Sequence, residues 1–576
     1  MSIIRGMELN PDQRRAVDCD HHSVVVACPG SGKTRVLVER AVRLRRLHPQ
    51  AEIIVVTFTR QAAAELRARM EGQLETLSRM RVATFHSLAL QQLLSHDQSR
   101  ICGPAEQLAL LRLAAQAHLP DIEFRAFQAA ADAFTSGHAS ALDRADYQLA
   151  YDAYLELMAE HSAVDFGHGV LKAVEAMERD ELTPFACDYL LVDEVQDIDP
   201  IQVRWVYAHT RAGAQLMIVG DDDQSVYAFR SALGYRGMKQ IGEHHSAIRI
   251  NLSINYRSHQ EVLGLASRLI SENTQRVAKR LTSARGPGGS VKLHSRYWTD
   301  VDEDHAVAAT LGSSNDQWAI IARTNRKLDR VAHALRSMNI PFTRPGRTQF
   351  WESEDPSLFL RLLQPQGIHD PLTRAAASVR IGVSGKKADA LPAPLKKLDG
   401  LLRGSPVSQD PEKCIHVVAK WMRANFAGIQ PARVTTSMRV VDQCKQYLLM
   451  MDGSLSERIA QAQRPRSSKE ERIVLLTMHA AKGREFPSVW IVGCQDGTIP
   501  NKKADDVEEE RRLLYVAMTR AERELHLSFA WNQLVTRADC STYLRTLTPS
   551  RFLSIDMGLP IPDRHTIEQQ RHAEPS

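Results

Sequence analysis

The sequence predicts an α/β protein with two parallel-sheet domains, each carrying a mainly helical insertion. Short runs rich in β-branched residues recur along the chain, and a helical pattern follows each of them. This alternation is typical of a parallel sheet covered by helices on both faces. The series stops and resumes twice, which indicates one insertion in each domain. A chain of 576 residues is also too long for a single core.

The first series of strands defines the first domain. Strands are predicted at 23–27, 52–58, 189–193, 216–220 and 248–252. The Ala- and Leu-rich stretch between the second and third strands is expected to form helices only. The prediction is therefore a first domain of residues 1–88 and 181–252, with residues 89–180 inserted.

A second series follows in the C-terminal half. Strands are predicted at 318–322, 472–477, 489–493 and 524–530. The polar, basic stretch between the first two of these is expected to be mostly helical. The second domain is predicted at 253–345 and 470–557, with an insertion at 346–469. Residues 558–576 are expected to be a disordered tail.

Composition excludes several classes of protein. The eight cysteines include no C-x-x-C pair, which argues against a zinc ribbon or iron–sulfur site and for reduced thiols in a cytoplasmic protein. No apolar run approaches the ~20 residues that span a bilayer, so no membrane partner is expected. The formal net charge of +5 permits nucleic-acid binding but is weak evidence for it.

The segment ACPGSGKT, between the first strand and a helical pattern, is the clearest chemical motif. It comprises Ala27, Cys28, Pro29, Gly30, Ser31, Gly32, Lys33 and Thr34. Such a glycine-rich turn wraps phosphates with backbone N–H groups, while the lysine reaches the β- and γ-phosphates and the hydroxyl binds Mg²⁺. A strict motif has glycine at position 27. The alternative is a chance glycine turn, which does not explain the strand before it and the helix after it.

Two further strands end in polar residues suited to nucleotide hydrolysis. Asp193 and Glu194 follow a buried strand, and we expect Asp193 to hold Mg²⁺ and Glu194 to act as the general base. Gln224 follows the next strand, where it could sense the γ-phosphate. The alternatives are a surface acidic turn for the carboxylates and an ordinary turn residue for Gln224.

An ordered series of motifs is similar to those of the superfamily-1A helicases, the UvrD/Rep/PcrA group. The segments are LNPDQRRAV (9–17), TFTRQAAAELRAR (57–69), TFHS (84–87), VDEVQD (192–197), GDDDQSVYAFR (220–230), NYRS (255–258), TMHAAKGREF (477–486) and RRLLYVAMTRAE (511–522). The resemblance implies two RecA-like P-loop motor domains that clamp ATP and Mg²⁺ between them.

The same resemblance implies further nucleotide contacts. Arg257 and Arg520 would be arginine fingers on the γ-phosphate, supplied by the second domain. Gln13 would contact the adenine, Tyr256 and Arg35 would sandwich it, and Glu485 would lie on the sugar–triphosphate side. For a single arginine the alternative is a surface salt bridge, and this alternative weighs most for Arg35.

A motor that moves along one strand needs aromatic faces for bases and polar groups for phosphates. The resemblance implies base stacking by Phe58, Phe85, Tyr227 and Phe229. It implies phosphate or sugar contacts by His86, Arg230, Arg323 and His479. For each aromatic residue alone, core packing is the alternative. Arg484, where the family usually has leucine, either contacts the DNA backbone or points to solvent.

Three functions remain open from the sequence. The first is an ATP- and Mg²⁺-dependent 3′→5′ helicase that binds single-stranded DNA and its junctions with duplex, in repair, replication, recombination or anti-phage defence. The second is a DNA-stimulated ATPase subunit that works with a separate nuclease or repair protein, as in the Gabija defence system. The third is a nucleotide-gated DNA-binding protein without hydrolysis, which the intact catalytic set argues against.

Overall fold

The computed structural model describes residues 8–96, 99–120, 123–227, 231–345, 351, 353–364, 367–382, 391–403, 410–425, 431–449, 451–463, 472–504, 506–536 and 542–573. The chain divides into two compact units. The sheet unit contains residues 1–88, 183–346 and 468–576, and the helical unit contains residues 89–182 and 347–467. Each unit is thus built from separate stretches of sequence.

The first sheet of the sheet unit has six parallel strands. They are β1 (Ser23–Ala27), β2 (Ile53–Thr57), β3 (Met80–Thr84), β6 (Tyr189–Val192), β7 (Gln215–Gly220) and β8 (Ile248–Leu252). Their order across the sheet is β3-β2-β6-β7-β1-β8. Every residue of β1 and β2 is buried, because helices cover both faces.

Five helices accompany the first sheet. They are α1 (Pro11–Asp18), α2 (Lys33–Leu47), α3 (Arg60–Glu71), α9 (Pro200–Arg211) and α10 (Gly234–His244). The helix α1 begins with a reciprocal cap, in which the Asn10 side chain accepts from the Gln13 N–H and the Gln13 side chain accepts from the Asn10 N–H. This cap fixes Gln13 beside the loop that follows β1.

The second sheet of the sheet unit has five parallel strands and one antiparallel edge strand. They are β11 (Ser290–Thr299), β12 (Trp318–Ala322), β13 (Ile473–Thr477), β14 (Phe486–Val492), β15 (Ala521–Thr536) and β16 (Thr542–Thr546). The parallel order is β11-β15-β14-β12-β13, and β16 pairs with β15. Along β12, Ala319 and Ile321 join one core while Ile320 joins another, as the two-residue period of a strand requires.

The helices around the second sheet are α11 (Gln260–Ser271), α12 (Asp300–Ser313), α13 (Asn325–Ser337), α20 (Val507–Met518) and α21 (Arg564–Ala573). Only Ser253 separates β8 of the first sheet from the short strand β9 (Ile254–Asn255), which pairs with β10 (Thr282–Ser283). The link between the two sheets is therefore very short.

The helical unit contains two groups of helices with their own cores. The first group is α4 (Phe85–Leu94), which begins in the sheet unit, α5 (Pro104–Gln116), α6 (Phe124–Thr135), α7 (Ala145–Glu160) and α8 (Phe166–Glu178). The second group is α14 (Glu354–Leu363), α15 (Pro371–Arg380), α16 (Ala393–Arg403), α17 (Pro411–Ala424), α18 (Pro431–Leu449) and α19 (Leu455–Gln463). An ion pair between Arg112 and Glu354 links the groups.

The predicted α/β class is confirmed, and two expectations are corrected. The first insertion was expected to contain helices only, yet β4 (Arg100–Ile101) and β5 (Ala163–Val164) pair within it; strands of two residues leave no periodic signal. Residues 564–573 form a helix instead of a disordered tail, because Ile567 packs into the core of the second sheet. No described helix is both long enough and apolar enough to cross a membrane.

Candidate active site and nucleic-acid interface

The loop between β1 and α2 has the backbone that a phosphate-binding loop requires. Gly30 and Gly32 have φ angles of 63° and 83°, in the left-handed region that other residues adopt at a cost. A Cβ atom on Gly30 would lie 2.6 Å from the Cβ of Arg257. Lys33 and Thr34 are the first two residues of α2, so the open N–H groups of that helix face the loop.

Two side chains and one backbone amide hold three consecutive carbonyl groups of this loop. Asn255 Nδ2 donates to the Pro29 carbonyl at 2.6 Å, and the Tyr256 N–H donates to the Gly30 carbonyl at 2.9 Å. Gln13 Nε2 donates to the Ser31 carbonyl at 2.9 Å. Asn10 Nδ2 in turn donates to the Tyr256 hydroxyl at 2.8 Å. The contacts bring Gln13 and Tyr256, both expected at the adenine, to one side of the loop.

The lysine of the loop pairs with the expected general base. Lys33 Nζ lies 3.1 Å from Glu194 Oε2, and Glu194 has a left-handed backbone with φ of 49°. Burial raises the pKa of Glu194, but Lys33 and Lys482 outweigh it and lower that pKa to about 2. Glu194 is therefore ionised at neutral pH, as a proton acceptor must be.

Asp193 precedes Glu194 at the end of β6 and is buried. Its Oδ1 accepts the Glu194 N–H at 3.0 Å. Burial and the Glu194 charge raise the pKa of Asp193 to about 7. A divalent cation against this carboxylate would offset the cost of its buried charge. Asp193 and the Thr34 hydroxyl form the oxygen donor set that Mg²⁺ prefers, so the residues fit this metal.

Gln224 lies in a short 3₁₀ turn after β7, and its amide is held at both ends. Gln224 Nε2 donates to Asp221 Oδ2 at 2.5 Å, and Gln224 Oε1 accepts from Arg520 Nη2 at 3.2 Å. Arg520 lies immediately after α20, at the second sheet. The expected γ-phosphate sensor therefore contacts one of the two expected arginine fingers directly.

The buried guanidinium of Arg520 has neutral partners. It donates to the Val516 and Arg484 carbonyls, the Thr519 hydroxyl and the Gln224 amide oxygen. Burial and the neighbouring Arg257 lower the pKa of Arg520 to about 9. Bringing an anion to this guanidinium would stabilise its charge, since no carboxylate of the described residues forms an ion pair with it.

The second expected finger, Arg257, follows β9. Its Nε lies 3.0 Å from Glu485 Oε2, and its Nη1 donates to the Thr519 carbonyl at 3.3 Å. Arg257 and Glu485, both expected at the nucleotide, are thus in direct contact. Arg35 lies half-buried in the first turn of α2.

An aromatic cluster lies near Gln224, the expected γ-phosphate sensor. The rings of Phe58 and Tyr227 stack with centroids 6.0 Å apart and planes 12° apart. His479 is tilted against Tyr227 at 6.4 Å, and Lys482 Nζ lies 4.8 Å from the centre of the Tyr227 ring. Three of the expected track residues are therefore brought together around Tyr227, which lies three residues after Gln224.

Other expected track residues have different surroundings. Phe85 is buried, and its ring meets Trp205 edge-on at 5.6 Å, which is the core-packing arrangement. His86 is half-buried, and burial lowers its pKa. Arg323 forms a two-pronged ion pair with Glu510, with its closest contact at 2.6 Å. Phe229 and Arg230 lie outside the described residues. Arg484 is exposed, so both of its alternatives, a contact with the DNA backbone and a solvent-facing side chain, stay open.

Sequence reasoning missed three residues that organise the site. Gln196 Nε2 donates to Glu194 Oε2 at 2.5 Å, while its Oε1 accepts the Asp221 N–H at 2.9 Å. Lys482 contacts Asp197 and the Gln224 carbonyl. Lys279 binds the Asp221 carboxylate. The position of Gln196 two residues after Glu194 was a usable signal, whereas nothing in the sequence around Lys279 distinguishes it.

Comparison with known proteins agrees with this arrangement. The model of the UvrD/REP helicase N-terminal domain matches residues 9–235. The model of the UvrD-like helicase C-terminal domain matches residues 250–365 and 445–532.

Individual relatives match across nearly the whole chain. DNA helicase II of Salmonella typhimurium is 28% identical over 91% of this chain and 84% of its own length. ATP-dependent DNA helicase Rep of Escherichia coli is 28% identical over 90% of this chain and 90% of its own length. ATP-dependent DNA helicase PcrA of Staphylococcus epidermidis is 26% identical over 100% of this chain and 89% of its own. Since the two domain models match both sheets in the expected order, the chain belongs to the UvrD/Rep helicase family.

Proposed function

We propose that the chain is an ATP- and Mg²⁺-dependent motor that translocates 3′→5′ on single-stranded DNA and separates duplex. The observation that carries the proposal is the contact between Arg520 and Gln224. It places an arginine with neutral partners beside the sensor that follows β7 of the other sheet. Hydrolysis at this point would depend on how the two sheets meet, which is the requirement for coupling chemistry to movement.

The roles follow from charge and position. The Lys33 ammonium is held by Glu194 and would turn to the phosphates when a nucleotide enters. Glu194, freed from this ion pair, would accept a proton from the attacking water. Arg257 and Arg520 would stabilise the charge that spreads over the γ-phosphoryl oxygens. Mg²⁺ held by Thr34 and Asp193 would neutralise phosphate charge.

The strand would pass over the cluster of Phe58, Tyr227 and His479. Stacking on aromatic rings contributes about 1–3 kcal/mol per base without strong sequence preference, which suits a translocating motor. Tyr227 is three residues from Gln224, and the Gln224 carbonyl accepts from Lys482, which also lies over the Tyr227 ring. A shift of Gln224 on hydrolysis would therefore reach the stacking surface directly. Phe85, buried against Trp205, would support this surface from below.

The test is steady-state ATPase activity with and without single-stranded DNA. We expect DNA to raise kcat at least tenfold. The Glu194→Gln variant should abolish turnover while binding ADP normally, because it removes the proton acceptor and keeps the shape of the side chain.

Two results would contradict the proposal. A wild-type protein that binds ATP without hydrolysing it would favour the nucleotide-gated binding protein. Hydrolysis that DNA does not stimulate would favour an ATPase subunit that needs a partner. With stimulation established, duplexes with 3′ or 5′ single-stranded tails would test polarity, and faster unwinding from the 5′ tail would overturn the 3′→5′ assignment.

A further inference from the structure

Lys279 is a fully buried lysine that the proposed mechanism has not used. It lies between α11 and β10. Its Nζ lies 2.7 Å from Asp221 Oδ1, 2.7 Å from Asp222 Oδ1 and 3.2 Å from Asp223 Oδ2. It also donates to the Ala27 carbonyl at 2.9 Å. A single ammonium thus binds three consecutive aspartates and the last residue of β1.

Neighbouring groups of the same segment complete the contact. Arg276 forms two hydrogen bonds with Asp223, both of 2.8 Å, and the Val277 N–H donates to Asp222 Oδ2 at 2.6 Å. This segment is anchored near the second sheet, because Arg512 at α20 donates to the Gln275 carbonyl. Residues that follow α11 therefore bind the turn that carries Gln224.

The three aspartates are fully buried, and their carboxylate oxygens lie within 4.8 Å of one another. Such a group could hold a metal ion, but the Lys279 ammonium already contacts all three carboxylates. A buried charge is tolerated when it is paired and hydrogen-bonded. Lys279 thus pairs with all three carboxylates inside the protein, and Arg276 pairs with Asp223 in addition.

Asp221 connects this cation to Gln224. Its Oδ1 accepts from Lys279, and its Oδ2 accepts from Gln224 Nε2 at 2.5 Å. An ionised carboxylate can only accept hydrogen bonds, so it requires the amide of Gln224 to present Nε2 to it. The amide oxygen then points the other way, where it accepts from Arg520.

We propose that Lys279 is a positioning residue for hydrolysis, which sets the amide orientation of Gln224 through Asp221. The inference rests on the proposed function and adds to it a residue that touches no substrate. Loss of the ammonium would remove the donor that holds Asp221 Oδ1, so the carboxylate could turn, and Gln224 would then lose its fixed orientation. The chemical step would suffer, while nucleotide binding at the loop after β1 would persist.

The experiment compares Lys279→Met and Asp221→Asn with the wild-type protein. For both variants we expect kcat for DNA-stimulated ATP hydrolysis to fall at least tenfold, with KM for ATP and the Kd of fluorescent ADP changed less than threefold. The side chain of asparagine has one oxygen and one NH₂ group. In Asp221→Asn, either Lys279 or Gln224 therefore faces an N–H group where it met an oxygen. This variant tests the route to Gln224 without removing the lysine.

Lys327→Met is the matched control. Lys327 is another buried lysine of the sheet unit, and its Nζ lies 2.7 Å from Glu303 and 2.5 Å from Asp304. Its loss should destabilise the fold comparably and leave kcat of the folded protein unchanged. An equal fall of kcat in Lys327→Met and Lys279→Met would overturn the positioning role, as would an unchanged kcat in Lys279→Met. A wild-type protein without ATPase activity would instead overturn the proposed function, and the inference with it.

Discussion

At the scale of single residues, Arg520 differs from the arginines that stabilise the fold through ion pairs. Many arginines among the described residues, such as Arg323 with Glu510, form an ion pair with a carboxylate. Arg520 is 1% exposed and donates to neutral oxygens. Burying a charge without a counter-ion costs free energy. Arg520 should therefore lower the stability of the protein until an anion reaches it.

This argument gives a prediction with two readouts. Arg520→Gln should lower kcat by roughly 10³-fold or more, because arginine fingers contribute about 10³–10⁵ to phosphoryl transfer. The same variant should have a Tm equal to or above that of the wild type, since it removes a buried charge that forms no ion pair with the described residues and that Glu194 and Asp221 offset only in part. Activity assays and thermal unfolding without nucleotide test both parts.

The control is Arg523→Gln, three residues further along. Arg523 is half-exposed and pairs with Asp316 at 3.3 Å, so its loss should change neither kcat nor Tm measurably. A large fall in the Tm of Arg520→Gln would mean that Arg520 stabilises the fold, and the finger assignment would lose its main support.

At the scale of elements, the loop after β1 depends on the end of β9 and the residues that follow it. Gly30 combines a left-handed backbone with close approach to Arg257, whereas Gly213 has a φ of 108° and open space where a Cβ would lie. Gly213→Ala should cost only backbone strain, about 1–3 kcal/mol of stability. Gly30→Ala adds a collision with the Cβ of Arg257, in the loop that we expect to bind the nucleotide.

We expect Gly30→Ala to weaken ADP binding at least tenfold and Gly213→Ala to leave it unchanged. Urea unfolding measures the strain in both variants, and titration with fluorescent ADP measures affinity. Equal affinities would show that the loop can move away from Arg257 at little cost.

One face of the second sheet carries a buried histidine pair. His526 of β15 is 4.9 Å from His294 of β11 and packs between Trp318 and Trp490. Among the described residues neither ring nitrogen of His526 has a hydrogen-bond partner. Burial, with His294 and Lys292, lowers the pKa of His526 to about 3.

The folded pKa of His526 is below its unfolded value of 6.5, so the unfolded chain binds more protons between about pH 3 and 6.5. The free energy of unfolding should therefore fall as the pH drops through this window. His526→Phe should reduce the difference in stability between pH 8 and pH 5, as measured by urea unfolding. His565→Gln, at an exposed position, should leave that difference unaltered. A difference in His526→Phe equal to that of the wild type would show that His526 is not the group responsible for the pH dependence.

At the scale of the whole molecule, the sequence predicted the two-sheet α/β class and most central strands, because both faces of those strands are buried. The strands β3 and β11 were missed, since their exposed and half-exposed positions break the apolar pattern. Lys33 could be predicted from the spacing of its glycine-rich motif, and Arg520 from the resemblance of its segment to the helicase family. Lys279 could not, because its role arises only where distant segments meet. The domain boundaries and the DNA-contacting residues stay predictions.

The order of strands in the first sheet has a consequence for biosynthesis. The neighbours of β1 (Ser23–Ala27) are β7 (Gln215–Gly220) and β8 (Ile248–Leu252), which the ribosome makes almost two hundred residues or more later. At about 5–20 residues per second, roughly 10–45 s separate the synthesis of β1 from that of β8. Until β7 is made, this apolar, β-branched segment has neither of its pairing partners. The nascent chain should therefore need a chaperone most while its N-terminal third is emerging, long before the nucleotide site can form.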